Sequence, residues 1–323
     1  LRSAQDDRIF VTSHLSLLRN HYMLTELAAA SEPTLLVISG PTAVGKTALC
    51  VRLAQELGTE IVSADSRQMY RELTIGTAKP TAEEMQGVPH HFIDSHSIRE
   101  EYNAGRYEQD AMALLDQLFQ RHRVVILTGG SGLYLQAVTE GFDEMPAAPP
   151  HFRAQLHEEL AAAGLEPLVE ELARLDPVTH ARIDHQNPQR VLRALEICRA
   201  TGQPFSSFHQ QARPGAARPF RIRKIALTRD RDELYQRIDQ RMDLMLAQGL
   251  EAEARALYPF RHHNALQTVG YQELFDYFDG LYDYAEAVRL LKRNSRRYAK
   301  RQLTWLRRDP QYQWLHPEEV VKW

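Results

Sequence analysis

Thr34-Leu35-Leu36-Val37-Ile38-Ser39-Gly40-Pro41-Thr42-Ala43-Val44-Gly45-Lys46-Thr47 is an apolar run that breaks into G-x-x-x-x-G-K-[ST]. The run reads as a buried strand, and helical periodicity resumes over about 46–57. A strand, a glycine-containing loop and a helix in that order are the frame a phosphate loop requires. The glycines let the backbone curl so that its N–H groups converge on a phosphate chain. The helix N-terminus adds partial positive charge, Lys46 a point charge, and Thr47 a hydroxyl suited to Mg²⁺. The spacing indicates a diphosphate or triphosphate ligand without naming it.

Further strands alternate with helices downstream. Glu60–Ser63, Arg123–Leu127 and Arg221–Thr228 read as strands, and Tyr107–Arg121 and the segment from Asp230 to about Gly249 as helices. Thr81-Ala82-Glu83-Glu84 spells a capping box. This pattern predicts an α/β fold: a P-loop NTPase-like core with a parallel sheet. Asp65 follows the second strand, where ligands of open α/β sheets bind. It suits a general base and equally a helix N-cap. Thr128-Gly129-Gly130-Ser131-Gly132 ends another strand, and its glycines suit either ligand approach or a tight turn.

Between these strands the chain is helical only. Residues 151–211 are broken at Gly164, Asp176-Pro177, Asn187-Pro188 and Gly202-Gln203-Pro204. The expected organisation is a core of 32–142 and 216–323 with a helical insertion at 143–215. Residues 1–31 read as an extension, loosely ordered, with Met23 the expected start.

Over 323 residues, 43% hydrophobic and 25% charged is globular usage, which excludes disordered and collagen-like classes. No run approaches the ~20 apolar residues of a membrane span. Cys50 and Cys198 fit no metal spacing, and the adjacent pairs His90-His91 and His262-His263 complete no ligand set. A cytoplasmic protein is expected, with a monomer as the default. Residues 289–308 hold nine Lys/Arg and no acid, so the rest of the chain carries −12 against an overall −3. Arg289, Lys292, Arg293, Arg296, Arg297, Lys300 and Arg301 recur at helical spacing on one face. With no acid interleaved, that stripe predicts a phosphate-backbone contact.

Ten blocks together resemble the bacterial tRNA dimethylallyltransferases. They are GPTAVGKT (40–47), SADSRQMY (63–70), IGTAKP (75–80), GVPHHFID (87–94), TGGSGLYLQA (128–137), DPVTHARID (176–184), NPQRVLRALE (187–196), RIDQRMDLML (237–246), TVGYQEL (268–274) and YAKRQLTWLRR (298–308). The resemblance implies transfer of the dimethylallyl group from dimethylallyl diphosphate to N6 of adenosine-37 in tRNA. It implies that Gly40–Thr47 hold the diphosphate, with Mg²⁺ on Thr47. Asp65 would be the general base, and Ser131 and Arg241 would join Lys46 in stabilising the leaving diphosphate.

The partner implied is the tRNA anticodon stem-loop. Matching contact positions are Asp65, Ser66, Arg67, Gln68, Ser131, Arg153, Gln189, Arg190, Arg193, Gln267, Gly270, Tyr271, Gln272, Lys300, Arg301 and Arg307. Gln267 stands where many relatives carry Arg, and Ser131 where some carry Thr. The competing readings are a small-molecule ATP kinase, a prenyltransferase of free adenylates and an RNA-binding regulator. None of these accounts for both halves of the chain.

Overall fold

The structure, a computed structural model, describes residues 31–143, 145–208 and 218–321. The extension expected at 1–31 therefore lies, Ser31 apart, outside the described residues. The chain divides into two compact units. Thr139 ends the first stretch of one unit, which resumes at Arg218, and Glu140–Ala217 forms the other.

The first unit is built on a six-stranded parallel sheet. Its strands are β1 (Thr34–Ser39), β2 (Ile61–Ser63), β3 (His90–His91), β4 (Val124–Gly129), β5 (Arg221–Leu227) and β6 (Gln313–Leu315), in the order β3-β2-β4-β1-β5-β6. β1 is central, aligned from Thr34↔Val124 on β4 and Thr34↔Arg221 on β5. Alternation sends Leu35 and Val37 into one apolar cluster and Leu36 and Ile38 into another, on opposite faces of the sheet. Burial on both faces explains why β1 and β4 read as continuous apolar runs.

Around the sheet lie α1 (Lys46–Leu57), α2 (Ala82–Met85), α3 (Ala104–Leu118) and α4 (Gly132–Thr139). The capping box at Thr81 and Glu84 is present in both directions. Helix α3 begins three residues before the sequence suggests, because the Asn103 side chain caps Arg106 N.

The second unit holds α5 (Pro150–Ala163), α6 (Glu166–Leu175), α7 (Pro177–His180), α8 (Pro188–Thr201) and α9 (Phe205–Phe208). The helices break where Gly164, Asp176, Asn187 and Gly202 stand. Asn187 caps Arg190 N, and Pro188 opens α8, where its missing N–H costs nothing. A core of Leu156, Leu168, Leu172, Val191 and Leu195 packs these helices.

Asp176 is the polar centre of this unit. Fully buried, it accepts from Thr179 N and Oγ1 and from Ser206 N and Oγ. Burial alone would raise its pKa, but those hydrogen bonds outweigh it and hold the carboxyl below its ordinary value. The stability it supplies is present above pH 4 and lost as pH falls through the lowered value. Asp176→Ala strands four buried polar groups and should cost about 3 kcal/mol. Faster amide exchange confined to 150–208 would register it, and unchanged protection there would refute it.

Back in the first unit, β5 leads into α10 (Arg231–Ala247), α11 (Leu250–Leu257), α12 (Gln272–Phe278), α13 (Tyr284–Leu306) and, after β6, α14 (Pro317–Val321). No described helix is long and apolar enough to cross a membrane.

Candidate active site

The C-terminal ends of β1, β2 and β4 open into a cavity of about 700 Å³. The loop after β1 forms its floor. Gly45 caps α1 with no side chain, so the first-turn N–H groups are left open toward an anion. Gly40 and Gly45 take φ +153° and +108°, and Ala43 is left-handed at +64°.

Nearly every loop residue is braced by a cation or an amide. Lys46 Nζ donates to Gly40 O (2.9 Å) and Pro41 O (2.8 Å), and Gln302 Oε1 accepts from Thr42 N (2.9 Å). Arg241 reaches Thr42 Oγ1 (3.4 Å), Arg237 donates to Ala43 O (2.9 Å), and Arg229 donates to Val44 O (2.9 Å).

Lys46, Arg237 and Arg241 thus converge on one wall. Burial, reinforced by Arg241, lowers the Lys46 pKa to about 8 despite the opposing pull of Asp65. Burial and Arg237 also lower that of Arg241. A polyanion in the cavity relieves both strains, so the site is electrostatically prepared for phosphate.

Asp65 faces this wall, and its two oxygens are divided. Oδ1 accepts from Arg67 N (2.9 Å) and Gln68 N (3.2 Å), fixing the turn, whereas Oδ2 has no hydrogen bond among the described residues. No helix follows Asp65, so the helix N-cap reading is corrected to a brace for the turn after β2, and that role for Oδ1 is compatible with the base reading for Oδ2. Arg67, Gln68 and Tyr298 line the same cavity. Burial and the neighbouring Asp65 push the Tyr298 phenol up to about 12, so it stays neutral.

Ser131 is not among the cavity-lining residues. Its hydroxyl accepts from Ser66 N (3.0 Å) and donates to Ser66 Oγ (3.1 Å). The neighbouring glycines are taken up by protein packing. A Cβ on Gly129 would lie 2.2 Å from Ala64 O, so only glycine lets the β4 end meet the Asp65 segment.

Other expected contact residues divide by exposure. Arg153 on α5 and Gln189, Arg190 and Arg193 on α8 are exposed, with Arg193 paired to Glu196 (2.9 Å). Gln267 is exposed and donates to Arg261 O (2.7 Å), and Gln272 bonds Asp276. Gly270 and Tyr271 are buried. Tyr271 Oη donates to Glu253 (2.6 Å), so this side chain is turned into the protein and not presented at the surface. Glu253 also accepts from Ile75 N (2.8 Å) and Gly76 N (3.0 Å), anchoring the Thr74–Pro80 wall of the cavity.

The basic stripe needs correction as well. Its acids come from outside the sequence window: Arg289 pairs with Glu286 (2.6 Å), Lys292 with Asp243 (2.6 Å) and Arg296 with Asp239 (2.7 Å). The two aspartates lie on α10. Arg297, Lys300, Arg301, Arg307 and Arg308 are exposed and form no ion pair among the described residues. Arg293, half-buried and bonded to Asn294, forms none either, so the exposed unpaired charge among the described residues runs from Arg297 through the last turns of α13 to just past its end.

Sequence reasoning missed Gln302, Glu253, Arg229 and Tyr298 as site residues. For Gln302 a signal existed: it sits on the buried stripe 291, 295, 299, 302, 306 of an otherwise charged helix.

The IPP transferase family description matches residues 68–309. The chain belongs to that family. The tRNA dimethylallyltransferase of Cytophaga hutchinsonii is 55% identical over 287 residues, covering 89% of this chain and 94% of that protein. A relative of the same name from Porphyromonas gingivalis is 53% identical over 285 residues, covering 88% and 94%.

Among solved structures, the tRNA isopentenylpyrophosphate transferase of Bacillus halodurans superposes with TM-score 0.66 at 40% identity, covering 90% of this chain and 94% of its own. A eukaryotic dimethylallyltransferase acting on tRNA gives TM-score 0.71 at 27% identity, covering 84% and 69%. Family membership makes this chain a prenyltransferase, and the parallel sheet around its phosphate loop is the P-loop NTPase-like core that its sequence predicts.

Proposed function

We propose that this chain transfers the dimethylallyl group of dimethylallyl diphosphate to N6 of adenosine-37 in tRNA. The observation that carries this is one cavity in which the phosphate-loop cations face a carboxylate oxygen with no hydrogen-bond partner among the described residues. Membership of the IPP transferase family and the names of its relatives support the choice of donor and acceptor.

The allylic C–O bond breaks, its electron pair leaving on diphosphate, and the N6 lone pair forms the new C–N bond. The N6 proton passes to Asp65 Oδ2. Lys46 and Arg241 stabilise the charge developing on the leaving oxygens, and the braced loop needs little reorganisation to do so. Thr47 Oγ1 is exposed at the cavity with no hydrogen bond among the described residues, which suits a hard cation held otherwise by phosphate oxygens and water. Mg²⁺ bound there would supply further positive charge to the diphosphate.

The acceptor base must leave the anticodon-loop stack to reach Asp65, as extruded bases do in other enzymes. Arg67, Gln68 and the end of α13 would receive the loop, and the exposed cations of α5 and α8 would hold further phosphates. Such a substrate places the reaction in the cytoplasm.

The test is transfer from labelled dimethylallyl diphosphate with tRNA, AMP and ATP offered in parallel. Label in tRNA alone supports the reading, whereas label in free nucleotide moves the chain to adenylate chemistry.

The ion pairs of α13 sharpen one expectation. Lys300→Ala/Arg301→Ala should weaken tRNA binding and reduce the slope of log K against log salt by about one unit or more. Lys292→Ala/Arg296→Ala removes cations already neutralised by α10 and should leave that slope unchanged. Equal effects from the two pairs would show that the ion pairs do not partition the stripe.

A further inference from the structure

Gln302 is buried on the same helix that carries the exposed cations, and its two ends are held by different elements. Oε1 accepts from Thr42 N in the phosphate loop, and Nε2 donates to Gly130 O after β4, both at 2.9 Å. Rotating the amide by half a turn would set donor against donor, so its partners fix its orientation.

One turn earlier, Ala299 is buried in the apolar cluster that contains Ala43 and Val44 of the loop. Three residues later, the Trp305 ring fills the space of any side chain on Gly132, where a Cβ would fall 2.3 Å from it. Helix α13 is thus seated on the phosphate loop and the β4–α4 turn with no layer between. The same stretch of helix presents Arg297, Lys300 and Arg301 to solvent.

We propose that Gln302 is a positioning residue through which RNA held on α13 fixes the phosphate loop and so tightens diphosphate binding. This rests on the reading of α13 as an RNA contact. A shift of α13 carries Thr42 N and Gly130 O with it. Phosphates that restrain the helix therefore restrain the bend ahead of the open N–H groups at Gly45–Thr47. A loop already restrained loses less freedom when diphosphate binds, which couples the two ligands. The coupling is reciprocal, so diphosphate tightens RNA by the same factor.

The experiment is calorimetric titration of inorganic diphosphate with Mg²⁺ into the full chain, with and without saturating unmodified anticodon stem-loop RNA. In the wild type, RNA should tighten diphosphate by about 5- to 150-fold. Gln302→Met, of similar length but without the amide, should reduce that factor below about twofold while keeping the affinity for RNA alone.

Gln302→Glu keeps the acceptor for Thr42 N and loses the donor to Gly130 O, so it should lose the coupling too and serves if the methionine variant folds poorly. Lys300→Ala/Arg301→Ala removes cations by which RNA would hold α13, so it should weaken RNA and also lower the coupling factor when RNA saturates. A merely structural amide would weaken both ligands and leave their ratio intact. Wild-type coupling in both Gln302 variants overturns the proposal, as does a wild type that transfers normally with no coupling. A chain that prenylates no tRNA overturns both the proposal and the functional reading beneath it.

Discussion

Asp65→Asn is expected to lower the transfer rate by ~10²–10⁴ while leaving RNA and diphosphate affinities nearly unchanged. The asparagine matters. Oδ1 of Asp65 holds the N–H groups of Arg67 and Gln68, so alanine would loosen the turn as well as remove the base. Asparagine keeps an acceptor for the turn and cannot take a proton from N6. A variant with normal turnover would remove Asp65 from the base role. One that loses RNA affinity in proportion to rate would make the residue a strut for Arg67 and Gln68 alone.

Lys46→Met should reduce transfer by ~10²–10³ through lost stabilisation of the leaving diphosphate, with a raised KM for dimethylallyl diphosphate. Burying the charge costs the free protein about 3 kcal/mol below pH 8. Methionine removes that cost but also loses the Nζ bonds to Gly40 O and Pro41 O, so the variant should be more stable by about 2 kcal/mol. In the folded chain the Lys46 pKa falls from 10.5 to about 8, chiefly through burial and then through Arg241. The charged form is therefore disfavoured by folding. Its cost is complete below pH 8 and vanishes as pH rises toward 10.5, so the gain from methionine should fade over that window.

The same shift governs binding. Above pH 8 the free enzyme must take up a proton to hold diphosphate, and affinity should fall by up to about tenfold per pH unit. Melting curves and diphosphate titrations across pH 7 to 10 check both signs. Affinity that stays flat above pH 8 would mean Lys46 is charged throughout.

Much of the fold was legible because the decisive signals are local. β1, the phosphate loop and α1 are consecutive, and burial on both faces makes β1 and β4 read as apolar runs. The helix breaks at Gly164, Asp176, Asn187 and Gly202 follow from capping chemistry that acts within a few residues.

Other features had no local signal. β3 and β6 are edge strands of two and three residues, His90–His91 and Gln313–Leu315, defined by their neighbours more than by any pattern of their own. The stripe on α13 looked free of acids because Asp239 and Asp243 stand some fifty residues upstream and meet it only through packing. Asp65 is subtler: spacing alone cannot divide one carboxylate between two roles, and only coordinates separate Oδ1 from Oδ2. Tyr271 sits in a block whose resemblance to the family implied an RNA contact, yet its burial against Glu253 makes it a support for the Thr74–Pro80 wall.

The most direct test of the whole account is to recover the acceptor position. tRNA lacking the modification is incubated with labelled dimethylallyl diphosphate and Mg²⁺, then digested and analysed by mass spectrometry. The account predicts label on N6 of the adenosine immediately 3′ of the anticodon, abolished by Asp65→Asn. Label elsewhere in the tRNA, or no label while phosphate is transferred from ATP, would contradict it.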